Sequence, residues 1–194
     1  RAGYDFLLLR ADKRIKAGSY ELAAPTSPLQ LLNKLTAGDT TMVAVKIIEG
    51  WNWRQLKAAL AANPNLKHDA SILSEADLAA ALQLPVSSVE GQFFPDTYYL
   101  SKGGSERHLL ERAHRLLARK LDAAWQQRSP GLPLQNPQQV LILASLVEKE
   151  TGKPDDRPMI AGVFLNRLNI GMRLQTDPAV IYGLGEKFDG DLRR

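Results

Sequence analysis

A run of eight apolar or small residues, from Val140 to Val147, constrains the fold of this chain more than any other stretch of its sequence. Asn136 and Pro137 precede the run, and this pair is typical of a helix N-cap followed by the first helical position. A helix that is apolar on most of its sides is usually buried. The sequence therefore predicts a helix that begins at Pro137, lies in the centre of its domain and ends in the polar sequence EKE.

Glu148 lies on the same face of this helix as the apolar run, because Leu141 and Ala144 precede it by seven and four positions. Glu150 lies about 200° further round the helix axis, so the two carboxylates cannot share one site. Desolvation and the helix dipole both disfavour a charged carboxylate at the edge of a buried face near a helix C-terminus, which suits a general acid. The alternative is a carboxylate that pairs with a Lys or Arg at the end of the helix.

The other patterns predict an α+β fold, with a small mixed unit followed by a mainly helical one. Short apolar runs indicate strands in residues 4–9, within 14–22 and in MVAVKII at 42–48. Capping residues and helical spacing indicate helices over 28–37, 52–62, 74–84, 105–128 and 157–169. The segments EGQFFPDTYYL (90–100) and GMRLQTDPAVIYG (171–183) show no clear periodicity, so we predict loops there.

The composition excludes several classes of chemistry. The chain of 194 residues has no cysteine, so it has no thiol nucleophile and no disulfide. Its three histidines lack a zinc-binding spacing, and it has neither a phosphate-binding glycine loop nor a serine-hydrolase motif. The net charge of +4 is spread along the chain, which does not favour nucleic-acid binding. No stretch reaches the roughly 18 apolar residues of a bilayer-spanning helix.

Both predicted loops are candidate ligand-binding segments. Aromatic side chains with interspersed polar groups, as in residues 90–100, suit the faces of sugars, although the two phenylalanines could equally hold this loop in the core. In the second loop, Gln175, Thr176 and Asp177 lie between apolar residues, as site residues on loops often do. An Asp-Pro pair also simply begins turns. Glu49 is either a site residue or the cap of the helix that follows it.

Five segments, in this order and at this spacing, resemble the YceG-like (MltG) endolytic murein transglycosylases: AGSYEL, KIIEGWNW, EGQFFPDTYYL, ASLVEKETG and RPMIAGVFLNRLNIGMRLQTDPAVIYG. The resemblance extends from about residue 15 to the last residue. It implies a LysM-like subdomain over residues 1–45 and a YceG-like catalytic domain over residues 46–194. It also implies a protein of the bacterial inner membrane, with one N-terminal anchor helix and a periplasmic body that works beside peptidoglycan synthases.

The same resemblance implies the reaction and its residues. Members of the family cleave the bond between N-acetylmuramic acid and N-acetylglucosamine within nascent peptidoglycan strands. They leave a 1,6-anhydromuramic acid end, terminate glycan elongation, and require neither a metal nor an organic cofactor. Their catalytic glutamate corresponds to Glu148. The residues expected to line the glycan-binding cleft are Glu90, Asp96, Tyr98, Asn166, Gln175, Thr176, Asp177 and Tyr182.

Members of the family continue beyond the segment that ends here at Gly183. We therefore expect this chain to lack the anchor and part of the cleft, and to bind glycan weakly or to be inactive by itself. The alternative to an enzyme is a non-catalytic peptidoglycan-binding module, whose LysM-like unit binds glycan while the rest docks onto a synthase. The two hypotheses differ in one structural expectation, since an enzyme needs Glu148 and the segments 90–98 and 171–183 in one groove.

Overall fold

The computed structural model describes residues 15–16, 18–22, 25–38, 40–84 and 88–192. Its helices are α1 (Pro28–Ala37), α2 (Trp53–Ala61), α3 (Glu75–Ala81), α4 (Glu106–Gln126), α5 (Pro137–Glu150), α6 (Arg157–Asn169) and α7 (Asp177–Leu184). Its strands are β1 (Met42–Ile47), β2 (Leu66–Lys67), β3 (Asp96–Ser101) and β4 (Gly104–Ser105). Short 3₁₀ turns cover Pro154–Asp156 and Gly185–Lys187. None of the helices in the described ranges has both the length and the apolar character needed to cross a bilayer.

Capping side chains define where several helices begin. Ser27 caps α1 and Asn52 caps α2, and in each case a glutamine three positions later bonds back to the cap. Asn136 caps α5, and Pro137 occupies its first position. Each cap satisfies a backbone N–H that the helix itself leaves without a partner. The helices predicted from these signals are confirmed to within a few residues, and the cap of α2 is Asn52 rather than Glu49.

The strands form two small two-stranded sheets. β1 pairs antiparallel with β3, from Met42 opposite Ser101 to Ile47 opposite Asp96, and β2 pairs in parallel with β4. The prediction of a loop over residues 90–100 is therefore wrong for its second half, which is β3. The prediction of a loop over 171–183 is wrong in the same way, because α7 begins at Asp177.

Two hydrophobic clusters stabilise the described part of the chain. The larger one joins β1, α2, α3, β3 and the first half of α4, and its most deeply buried apolar side chains are Leu60, Leu78, Val89, Leu109 and Leu110. The smaller one is formed by α5 and α6, and its buried residues are Leu143, Val147 and Phe164. The structure is thus helix-rich with a few short strands, which agrees with the α+β prediction.

The prediction that α5 lies in the centre of its domain is wrong. Of its residues only Leu143 and Val147 are buried, while Ile142 and Ser145 are exposed. The apolar run packs along one side of the helix, against α6 and the segment around Leu134. The run therefore provides one wall of a small core rather than the middle of a large one.

The predicted N-terminal subdomain can be described only in part. The predicted strand at residues 4–9 lies outside the described residues, and within 18–22 the structure has no strand. The predicted domain boundary between residues 45 and 46 falls inside β1. Val45 and Ile47 on either side of it belong to the same core. The LysM-like subdomain and the division at this position stay predictions.

Candidate active site

Glu148 lies in the last turn of α5, beside the buried Val147, and its side chain is 30% exposed. Its Oε2 atom lies 3.0 Å from Nη2 of Arg157, the first residue of α6. The 3₁₀ turn at Pro154–Asp156 leads the chain into α6, which packs back against α5. The alternative that the sequence left open, a carboxylate paired with a cation near the helix end, is thus present, and its cation comes from the next helix.

The turn between β1 and α2 approaches this carboxylate. Gly50 in that turn has a φ of 73°, in the left-handed region that glycine tolerates. A Cβ placed on Gly50 would lie 3.7 Å from Cγ of Glu148 and 3.7 Å from Nζ of Lys149. The segment KIIEGWNW therefore borders the end of α5, and a side chain at position 50 would be in van der Waals contact with Glu148.

Glu90 lies at the other end of the same turn. Its Oε2 atom accepts a hydrogen bond of 2.8 Å from the backbone N–H of Trp53, the first residue of α2. A carboxylate at this position satisfies a free helical N–H and interacts favourably with the helix dipole. Trp53 is itself buried against Phe93, with ring centroids 5.7 Å apart. Glu90 therefore has a structural role at the start of α2, and the packing of Phe93 against Trp53 holds the segment around Phe93 in the core.

Tyr182 of α7 lies beside Glu90. Partial burial, followed by the neighbouring charge of Glu90, raises the pKa of the Tyr182 hydroxyl. The ring is nevertheless 60% exposed, so one of its faces can stack against a ligand. α7 also contacts α5, the helix that carries Glu148. Glu148 and Glu90 thus border one short turn of the chain, and Tyr182 lies beside Glu90.

The residues that lead into α7 have unusual environments. Gln175 has a φ of 50°, which is strained for a residue other than glycine. Thr176 is 5% exposed, and among the described residues its Oγ1 atom has no hydrogen-bond partner. Asp177 is exposed in the first turn of α7. Strained backbone and an unpartnered buried hydroxyl are both common at functional sites.

Three of the predicted site residues have no observed contact with Glu148 among the described residues. Asn166 is exposed on α6, nine positions after Arg157 and therefore about half a turn away round the helix axis. Tyr98 is buried in the larger core, where its hydroxyl donates a 2.7 Å hydrogen bond to the carbonyl of Phe94. Burial raises the pKa of this hydroxyl to about 12. Asp96 lies on β3 in a separate groove of about 230 Å³.

Sequence reasoning missed Arg157 and Gly50 as neighbours of Glu148. Both lie in segments that carry the family resemblance, RPMIAG and KIIEGWNW. Their proximity to Glu148 depends on how α6 and the β1–α2 turn pack against α5, which no local pattern encodes. Within the described residues, no group of three or more potential ligands is placed to hold a metal ion.

Comparisons with known proteins show which family the chain is similar to. The model of the YceG-like family matches residues 4–194. The chain is 30% identical to an endolytic murein transglycosylase of Streptococcus pneumoniae serotype 2, over 89% of this chain and 36% of that protein. It is 27% identical to an endolytic murein transglycosylase of Bacillus subtilis, over 90% of this chain and 53% of that protein.

A solved structure extends the similarity to the fold. The crystal structure of a yceG-like protein from Listeria monocytogenes matches with a TM-score of 0.55 and 26% identity, over 98% of this chain and 68% of that one. The chain spans about a third to a half of the length of the two curated relatives. The family model covers almost the whole chain, including Glu148, Arg157 and the turn at Gly50. The chain therefore belongs to the YceG-like family.

Proposed function

We propose that the protein is an endolytic murein transglycosylase in which Glu148 acts as the single general acid and base. The observation that carries the proposal is the position of Glu148, partly exposed at the end of α5 and facing the β1–α2 turn. Glu90 borders the same turn, and Tyr182 lies beside Glu90. The names of the relatives from S. pneumoniae and B. subtilis support the reaction class.

The proposed reaction needs one carboxyl group. Glu148 donates a proton to the glycosidic oxygen between N-acetylmuramic acid and N-acetylglucosamine as the bond from C1 to that oxygen breaks. The carboxylate then accepts the proton of the C6 hydroxyl of the muramic acid as that oxygen bonds to C1. A hydroxyl on the same sugar replaces the water that a hydrolase activates with a second carboxylate. The products are a free 4-hydroxyl and a 1,6-anhydromuramic acid end.

Arg157 has a positioning role in this proposal. Its guanidinium group contacts Glu148 directly, and its own Nε atom is buried without a hydrogen-bond partner among the described residues. The pair holds the carboxylate towards the β1–α2 turn before a strand binds. When the glycosidic oxygen becomes the partner of Glu148, Arg157 gives up this contact. Tyr182, which is largely exposed, stacks on a sugar ring.

The other features implied by the family resemblance complete the proposal. The full-length protein is held in the inner membrane by one N-terminal helix, with its body in the periplasm. It acts on nascent strands next to a peptidoglycan synthase and thereby ends their elongation. Gln175 and Asp177 contribute to the glycan-binding cleft, and the LysM-like subdomain helps to hold the strand.

Product analysis tests the proposed reaction. The full-length natural protein should convert uncrosslinked glycan strands into shorter strands whose new ends are anhydro ends, with a mass lower by one water than reducing ends. Mass spectrometry distinguishes the two. New reducing ends would mean hydrolysis and would overturn the proposal. Glycan capture without any new end would instead support the non-catalytic binding module.

The role of Arg157 gives a second prediction. We expect Arg157→Ala in the full-length protein to lower kcat about tenfold while KM stays near the wild-type value, because the variant loses positioning rather than substrate contacts. The measurement is a steady-state assay of anhydro ends. Lys153→Ala is the matched control, since Lys153 is an exposed cation in the same connection between α5 and α6. A rise in KM with unchanged kcat would contradict the positioning role.

A further inference from the structure

A groove of about 230 Å³ lies between β3 and α4, away from the contact between Glu148 and Arg157. Its charged lining consists of Arg112, Arg115 and Arg119 from α4 and Asp96 from β3. Three guanidinium groups therefore face one carboxylate, so the groove has an excess of positive charge. Nothing in the reaction proposed for Glu148 uses this surface.

The three arginines form one stripe because they are spaced by three and four positions along α4. Like charges at this spacing repel one another, whereas Glu111 and Asp122 lie at favourable helical spacings from Arg115 and Arg119. Arg112 is fixed, since its Nη1 atom donates a 2.9 Å hydrogen bond to the carbonyl of Tyr99. Its guanidinium carbon also lies 5.8 Å from the ring centroid of Tyr98. Arg112 thus forms a wall of the groove.

Arg115 and Arg119, unlike Arg112, have no structural role that an observed contact explains. Both are exposed, and neither has a hydrogen-bond or ion-pair partner among the residues that the structure describes. A guanidinium group offers a planar set of N–H donors that fits a carboxylate with two parallel hydrogen bonds. These two side chains therefore supply an unused binding site for a carboxylate.

Asp96 restricts which anion fits. Its carboxylate is exposed in the same groove, and among the described residues its Oδ1 atom accepts only the short-range hydrogen bond from the Thr97 N–H, at 2.7 Å. This negative charge repels a doubly charged phosphate but attracts an ammonium group. A ligand that carries both a carboxylate and an amine, as a short peptide with a free C-terminus and a side-chain amine does, matches the charges of the groove better than a simple polyanion.

The groove lies close enough to the candidate active site to bind part of the same substrate. Asp96 is opposite Ile47 in the antiparallel register, and Ile47 precedes Gly50 by three positions. Chain geometry therefore keeps the Cα atoms of Asp96 and Gly50 at most about 17 Å apart. Gly50 lies beside Glu148, since a Cβ placed on it would be 3.7 Å from Cγ of Glu148. A substituent of a polymer bound at Glu148 can thus extend towards the arginines.

We propose that this groove binds the peptide stem of the peptidoglycan strand, with Arg115 and Arg119 on a stem carboxylate and Asp96 on a stem amine. The inference rests on the function proposed for Glu148 and adds a specificity site to it. It explains why Asp96, which the family resemblance placed in the cleft, lies on β3 rather than beside Glu148. It predicts that the enzyme distinguishes strands with stems from strands without them.

The test compares two substrates and two double variants of the full-length protein. The substrates are uncrosslinked glycan strands with their stems and the same strands after an amidase has removed the stems. The test variant is Arg115→Gln with Arg119→Gln. The control is Arg107→Gln with Lys120→Gln, which removes the same charge from exposed positions of α4 outside the groove.

We expect the test variant to raise KM about tenfold on strands with stems, as befits the loss of charge-assisted hydrogen bonds, and to match the wild type on stripped strands. The control should match the wild type on both. Amidation of the stem carboxyl groups should abolish the difference between wild type and test variant. Equal effects on both substrates, or equal effects of the two double variants, would overturn the stem site. If the wild type makes no anhydro ends from either substrate, the proposed function itself fails.

Discussion

We expect the Glu148→Gln variant of the full-length protein to lose about 100- to 10,000-fold in kcat, the range typical of a missing general acid or base. The amide has the size of the carboxyl group but can neither donate the proton to the leaving oxygen nor accept that of the C6 hydroxyl. The measurement is the rate of formation of anhydro ends, with glycan binding measured in parallel. Binding should stay close to the wild-type level.

Glu150→Gln is the matched control for this experiment. Glu150 is exposed in the same helical turn and lies about 200° round the axis from Glu148. Its variant should keep wild-type activity.

Because the pair of Glu148 and Arg157 is partly exposed, its loss should change the free energy of unfolding by about 1 kcal/mol or less. Undiminished activity of the Glu148 variant would remove this residue from the mechanism.

The largest loss of stability should come from Glu106, the first residue of α4 and a fully buried carboxylate. It accepts hydrogen bonds from Nδ1 of His68 at 2.7 Å and from the N–H of Ser71 at 2.8 Å. The N–H of Ala70 and the hydroxyl of Ser71 add two more, each at 3.2 Å. Glu106→Ala leaves these donors without a partner, and we expect it to lower the free energy of unfolding by about 3 kcal/mol.

Urea unfolding at neutral pH measures this effect, and Glu111→Ala on the same helix provides the control. Glu111 has no such set of donors, and a substitution there should change the free energy of unfolding by about 0.5 kcal/mol or less. A loss at Glu106 no larger than at Glu111 would show that the buried network adds nothing to stability.

The same carboxylate makes stability depend on pH. Burial tends to raise the pKa of Glu106, but the hydrogen bonds from His68, Ser71 and Ala70 outweigh it and hold the pKa below the ordinary value of 4.5. The stabilisation is therefore complete above pH 4.5 and is lost as the pH falls below it, because the folded state must then take up a proton. Glu106→Gln should unfold with a flatter dependence on pH in this range than the wild type.

The parts of the fold that the sequence predicts are those with local causes. Asn136 and Pro137 specify the start of α5, and Asn52 specifies that of α2, because a cap involves only residues three positions apart. β3 was missed because its pairing partner β1 lies about 50 residues earlier. Its alternation, with Tyr98 and Leu100 buried, is hidden among adjacent aromatics. α7 was missed because eight residues are too few to show a period.

The candidate site shows the same difference between features with local causes and features that depend on long-range packing. The phase of the apolar run singles out Glu148 over Glu150, and the structure places Glu148 at the β1–α2 turn. The partner of Glu148 could not be read from α5, because Arg157 reaches it only through the packing of α6. The burial of Glu106 was not predicted for a related reason, because an acidic residue in the first turn of a charged helix is usually solvated. The segment 68–71, about 35 residues upstream, buries it.

The two hydrophobic clusters have a consequence for ligand binding. Trp53, whose backbone N–H donates to Glu90, belongs to the larger cluster. Glu148 and Arg157 lie on the two helices that form the smaller cluster, which has three buried residues. Because the smaller cluster has fewer buried residues, we expect it to unfold locally at a lower free energy than the larger one. A glycan strand bound as proposed, across the β1–α2 turn, would contact parts of the chain that both clusters hold. Its binding free energy would therefore add to the stability of the smaller cluster and of the C-terminal end of α5.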